Sequence, residues 1–200
     1  MSDLHYPPAR RGFIRRKNKP RDPLLVYLSK ALAVTITMLI CAFFVLTRFT
    51  ISIDPQYYAG IESSLPWAVW ITDTHNKDVT YGDYLAFETD DRMLPYFTPG
   101  TGFVKEVVGL PGDHVVIKAG KVSINGQPVG TINLAETLHR PVASFDRDTV
   151  IAEDHYWVMG TSPISFDSRY WGTVSQEQVI GESWHLWPLF VGPDSEADQS

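Results

Sequence analysis

From Ala31 to Thr47 the chain reads ALAVTITMLICAFFVLT, seventeen residues without a charge, and Leu24 to Leu28 extend the apolar run on the near side of Lys30. That length reaches the roughly 20 residues needed to cross the hydrocarbon core of a bilayer, with Lys30 and Arg48 long enough to extend to the two interfaces. Beyond Arg48 the pattern changes. Short apolar runs recur between turn signals, and the 14 prolines and 14 glycines are dispersed instead of forming a linker. This predicts many short strands, at Trp67 to Thr72, Asp83 to Glu88, Gly102 to Leu110, His114 to Lys118, Lys121 to Ile124, Tyr156 to Gly160 and Val179 to Trp187. Ala119-Gly120 and Asn125-Gly126 read as the tight turns of successive hairpins. Helical periodicity after the apolar run is confined to a turn at Asn133 to Leu138, and Gly130 to Asp154 reads as an irregular excursion. The expected fold is a mainly β, antiparallel domain behind one N-terminal transmembrane helix. Its expected segments are a basic stretch at 1–23, an anchor at 24–48, the β-rich domain at 49–190 and a frayed polar tail at 191–200.

Charge gives the anchor a direction. The first thirty residues hold eight basic against two acidic side chains, whereas residues 31–200 hold nine basic against twenty-one acidic. The positive-inside rule therefore puts the N-terminus in the cytoplasm and everything after Arg48 on the far side of the membrane. A cleaved signal peptide has a similar layout, but the apolar run is longer than a typical core and RFTISIDPQYY offers no small-x-small cleavage site. The acidic main body argues against a nucleic-acid partner. The single cysteine, Cys41, lies inside the apolar run, which suits packing in lipid better than catalysis or disulfide pairing. The six histidines are scattered, without ligand spacing, and no cofactor or metal is expected.

The candidate chemistry begins at Glu62-Ser63-Ser64-Leu65-Pro66, where two adjacent serines precede a Leu-Pro step. A serine hydroxyl is a weak nucleophile unless a base takes its proton. A Ser-His-Asp arrangement would need His114, His155 or His185 beside Ser64, and nothing in the sequence brings one there. Lys105 is the other source. In GFVKEVVGLPGD, alternation puts Phe103, Lys105 and Val107 on one strand face, so the amine has apolar neighbours. Burial disfavours the ammonium form and lowers its pKa toward the range of a working base.

The run K-x-V-V-G-L-P-G-D at Lys105 to Asp113 resembles a motif of type I signal peptidases, and SFDSRYWG at Ser165 to Gly172 resembles their later D-S-R-Y-W-G box. With the serine ahead of Leu65-Pro66, the motifs follow family order over most of residues 60–185. The resemblance implies a signal-peptidase-like β-sheet catalytic domain and a serine endopeptidase with a Ser-Lys dyad. In it Lys105 would be the general base, Ser165 would orient the lysine amine, and Asp167 and Arg169 would form a supporting ion pair. Ser64 fits the S-[ML]-P-x-G-x-[YW] spacing of the TraF type, which matures pilin subunits in conjugative transfer, with Ala68 in place of its Gly and Trp70 at its aromatic position. Ser63 has the S-x-x-P spacing of the housekeeping enzymes and is the alternative nucleophile. Two departures stand out. Glu62 occupies the place from which some relatives donate a hydroxyl to the oxyanion, and Thr161-Ser162-Pro163-Ile164 follows Gly160 where housekeeping enzymes read G-D-N-R.

The expected activity is thus cleavage of leader sequences from secreted precursors with small residues before the cut, at the outer face of the cytoplasmic membrane. Propilin maturation is the favoured substrate. A general leader peptidase and an inactive tethered scaffold are the alternatives. Of the six tryptophans, Trp67, Trp70 and Trp171 divide evenly between core and membrane-interface roles, and Trp157, Trp184 and Trp187 are expected in the core.

Overall fold

A computed structural model of the protein describes residues 22–54 and 62–186. The basic N-terminal stretch up to residue 21, the polar tail and Trp187 lie outside the described residues. The chain forms two units, one ending at Phe43 and one starting at Phe44.

Helix α1 spans Pro23–Arg48. Proline suits a first helical position because its missing N–H has no intrahelical partner there, and Asp22 Oδ1 caps the end by accepting from Leu24 N at 3.0 Å. Inside the apolar stretch Thr35 and Thr37 return their hydroxyls to the carbonyls of Ala31 and Ala33 at 3.0 and 2.9 Å, so neither leaves an unsatisfied donor on the helix surface. Its 26 residues, at about 1.5 Å each, make it long and apolar enough to cross a membrane.

The second unit is built from antiparallel strands in two sheets. Among the described residues, the strands are β1 (Phe49–Ile53), β2 (Val69–Asp73), β3 (Tyr84–Glu88), β4 (Gly102–Gly109), β5 (His114–Lys118), β6 (Lys121–Ile124) and β7 (Gln127–Thr131). They continue with β8 (Arg147–Val150), β9 (His155–Met159), β10 (Val174–Ser175) and β11 (Val179–His185), and a one-turn helix α2 (Ser168–Trp171) stands between β9 and β10. A seven-stranded sheet runs in the order β1-β2-β11-β3-β4-β9-β10 and a four-stranded sheet in the order β7-β6-β5-β8. The two expected hairpin turns form, with Ala119, Gly120, Asn125 and Gly126 all at positive φ. One apolar core serves both sheets, drawing Leu85, Phe87, Val107 and Trp157 from the first and Val115, Ile117, Val122 and Ile124 from the second.

Three sequence expectations need correction. The excursion from Gly130 to Asp154 contains β8, which pairs along β5 from His114↔Val150 to Ile117↔Arg147. Phe49–Ile53 forms a strand at the edge of the larger sheet, paired with β2. Trp184 is 43% exposed and is not a core residue, whereas Trp70, Trp157 and Trp171 are buried.

Candidate active site

Strand β4 lies between β3 and β9, so Lys105 is not an edge charge; it pairs with Leu85 of β3. Its side chain is buried, and its Nζ stands 5.4 Å from the centre of the Phe103 ring. Loss of hydration pushes the amine down to about 8; the nearby carboxylates of Asp167 and Asp54 oppose that shift, and the Arg169 guanidinium reinforces it. A neutral amine is therefore accessible at mildly alkaline pH.

The rest of the K-x-V-V-G-L-P-G-D motif builds the support. Asp113 is buried and its carboxylate accepts from Leu110 N at 2.7 Å, Tyr81 OH at 2.5 Å and Asn125 Nδ2 at 2.7 Å. These bonds close the turn between β4 and β5 and fasten it to the Asn125-Gly126 hairpin. Gly109, where β4 leaves the larger sheet, has no room for a side chain, since a Cβ would stand 2.8 Å from Ile151 Cδ1 and 2.9 Å from Trp157 Cβ.

Ser64 and Lys105 line one pocket of about 240 Å³, together with Ser52, Asp54, Trp70 and the aromatic wall of Phe97, Phe103 and Phe166. Ser52 and Trp70 are cross-strand partners of β1 and β2, so one sheet face supplies both. Ser63 does not line the pocket itself, but its hydroxyl donates to the carboxylate of Asp54, which does. Three residues beyond Ser64, Trp67 stacks on His185 with ring centres 3.8 Å apart, joining the serine segment to the end of β11. His185 thus meets the candidate site through packing, and among the described residues neither His114 nor His155 lines the pocket.

The SFDSRYWG box is a buried helix turn, not a solvated one. Asp167 caps α2, accepting from Arg169 N at 3.3 Å, and holds the Arg169 guanidinium with two bonds of 2.8 and 2.7 Å. Arg169 gives two further donors to the carbonyls of Thr131 and Ser165, at 3.0 and 3.2 Å. Ser168 accepts from Val158 N at 2.9 Å, and the Tyr170 hydroxyl accepts from Asn133 N and Leu134 N at 3.0 Å each. Asp167 Oδ2, which holds Arg169 Nη2, also accepts from Gly160 N at 3.0 Å.

Gly160 is where the box meets the serine. A Cβ there would stand 2.3 Å from Ser165 Oγ and 2.6 Å from the Ser64 carbonyl oxygen, so only glycine lets these groups approach. Ser165 Oγ is buried without a hydrogen-bond partner among the described residues. The structure therefore brings Ser64, Lys105, Ser165, Asp167 and Arg169 into one neighbourhood and sets Ser63 on Asp54. Sequence reasoning missed Ser52, Asp54, Phe97 and Phe166. For Ser52 and Asp54 a signal was present in FTISID, whose apolar and polar positions alternate; Phe166 sits inside the matched box itself.

A family model described as "Signal peptidase, peptidase S26" matches residues 25–187. The chain is 34% identical over 115 residues to a probable signal peptidase I-2 of Synechocystis sp., a match covering 56% of this chain and 50% of that protein. It is 26% identical over 218 residues to signal peptidase I of Pseudomonas aeruginosa, covering 86% of this chain and 76% of that protein. A crystal structure of a signal peptidase I from Enterococcus faecalis V583 aligns at 27% identity with a TM-score of 0.34, covering 53% of this chain and 97% of that one. The chain spans about half the length of the Synechocystis relative. With the family model matching well over half of its residues, the protein belongs to the peptidase S26 family of signal peptidases.

Proposed function

We propose that the protein is a membrane-anchored serine endopeptidase that removes leader sequences from secreted precursors through a Ser64-Lys105 dyad. The observation that carries this is the shared pocket: a serine and a buried lysine amine, shifted to about 8, line the same cavity. The Ser64 hydroxyl adds to the scissile carbonyl while Lys105 Nζ takes its proton. Collapse of the tetrahedral intermediate passes that proton to the leaving amine and leaves an acyl group on Ser64. Water then attacks the ester, giving its proton to Lys105, and the second collapse returns the proton to the serine. In this reading Ser165, packed against Gly160 with its hydroxyl unpartnered among the described residues, is the group available to orient the amine, and the Asp167-Arg169 pair holds the loop that carries it.

The anchor is α1, with the N-terminus in the cytoplasm and the β-rich unit outside, as the basic excess before the span indicates. Two substrate ranges have support. Ser64 lines the pocket and Ser63 does not, which favours the TraF-type register and maturation of a pilin precursor in a conjugative secretion system. The likeness to the Synechocystis and Pseudomonas signal peptidases favours a general signal peptidase I. Incubating the purified protein with a pilin precursor and several unrelated precursors, and weighing the products, separates these: one substrate cut supports the first, many the second. In the same assay Ser64→Ala abolishes cleavage and Ser63→Ala retains it. The reverse pattern reverses both the nucleophile and the subfamily.

A further inference from the structure

The two departures from the family pattern, Glu62 and the Thr161-Ser162 run, bond to each other. Ser162 Oγ donates to Glu62 Oε1 at 2.6 Å, and Ser162 N–H donates to the carbonyl oxygen of Ser64 at 3.2 Å. Thr161 Oγ1 reaches the same carbonyl at 3.5 Å. Ser162 is itself held in place: its carbonyl accepts from Ser165 N at 3.1 Å, its hydroxyl accepts from Ile164 N at 3.2 Å, and Asn133 Nδ2 donates to the Pro163 carbonyl at 2.9 Å. The loop that follows Gly160 therefore grips the serine segment on both sides of Ser63, at the Glu62 carboxylate and at the Ser64 carbonyl.

We infer that Glu62 and Ser162 are positioning residues, a side-chain clamp that sets the register of Ser64 against the pocket. The inference rests on the reading of Ser64 as nucleophile. A carboxylate accepting from Ser162 cannot donate to an oxyanion, so Glu62 acts through geometry instead of through a contact with the reacting atoms. The bond is short, but Glu62 is exposed, and such a pair adds little to global stability. Its contribution lies in where Ser64 sits, and small displacements of a reacting group are expensive in rate.

The test uses the full-length protein in detergent with a synthetic leader peptide carrying Ala before the cut. Glu62→Ala and Ser162→Ala each lower kcat by roughly 10- to 100-fold with KM and melting midpoint unchanged, and the rising limb of the pH profile stays in place. The double variant is no slower than the slower single, because both remove one interaction. Glu62→Gln and Ser162→Thr, which preserve an acceptor and a donor hydroxyl, recover most of the loss. Losses that multiply in the double variant overturn the clamp, as do alanine variants with the wild-type rate. So does a Glu62→Gln enzyme as slow as Glu62→Ala, since charge would then be the operative property. Ser64→Ala separates the two levels: if it cleaves normally, the nucleophile reading and the clamp fall together, and if it is inert while Glu62→Ala and Ser162→Ala are unaffected, only the clamp falls.

Discussion

Burial makes the Lys105 amine useful and makes it costly. An unfolded lysine titrates near 10.5 and the folded one at about 8, so between those values the unfolded chain holds more protons and stability rises with pH. Below about 8 the fold carries the full penalty of an ammonium withdrawn from water; above 10.5 it carries none. Lys105→Met should therefore abolish cleavage and raise stability to urea at pH 7 by roughly 3 kcal/mol, a gain that fades as pH climbs through the same window. For the wild-type protein, kcat/KM should rise with pH and level off around a midpoint near 8. A midpoint in the range of an ordinary histidine would assign the base to another group.

At the level of elements, α2 shows why the SFDSRYWG run has so little freedom. Its Asp167 and Arg169 are both buried, joined by two hydrogen bonds, and together they tie Gly160, Ser165 and Thr131. Arg169→Met would leave a buried carboxylate without its counter-ion, and urea titration should register a loss of about 3–5 kcal/mol. A loss below about 1 kcal/mol would mean that the pair relaxes into solvent. The same elements show what could be read from sequence. Alternation around Lys105 and the Gly-containing turns reported β4, β5 and β6 because apolar burial and turn conformation are local properties. Strand β8, RDTV, escaped because it is an edge strand whose Asp148 and Val150 face solvent, so no apolar run marks it. Strand β1 escaped because its alternation begins directly after an apolar span and all five of its residues are exposed. Spacing favours Ser64 over Ser63 without deciding between them, since each satisfies a pattern; what bears on the choice, the pocket that Ser64 shares with Lys105 and the bond from Ser63 to Asp54, involves residues 9 or more positions away along the chain.

A basic N-terminal stretch, an apolar helix and an acidic β-rich unit follow one another along the chain, and the charge asymmetry implies a direction. Glu136 is exposed in the β-rich unit. In a Cys41→Ala background, Glu136→Cys should react with a membrane-impermeant maleimide applied to intact cells or spheroplasts, and protection until lysis would reverse the orientation. Strand β4 links the candidate base to the joint between the two sheets, with Lys105 in its middle and at its end Gly109, whose missing side chain lets Ile151 and Trp157 close in. Heat or force that pried the smaller sheet from that joint would slacken the strand carrying the amine. Thermal inactivation and loss of the four-stranded sheet should then share a single cooperative transition, and catalytic competence becomes a gauge of architecture well outside the pocket.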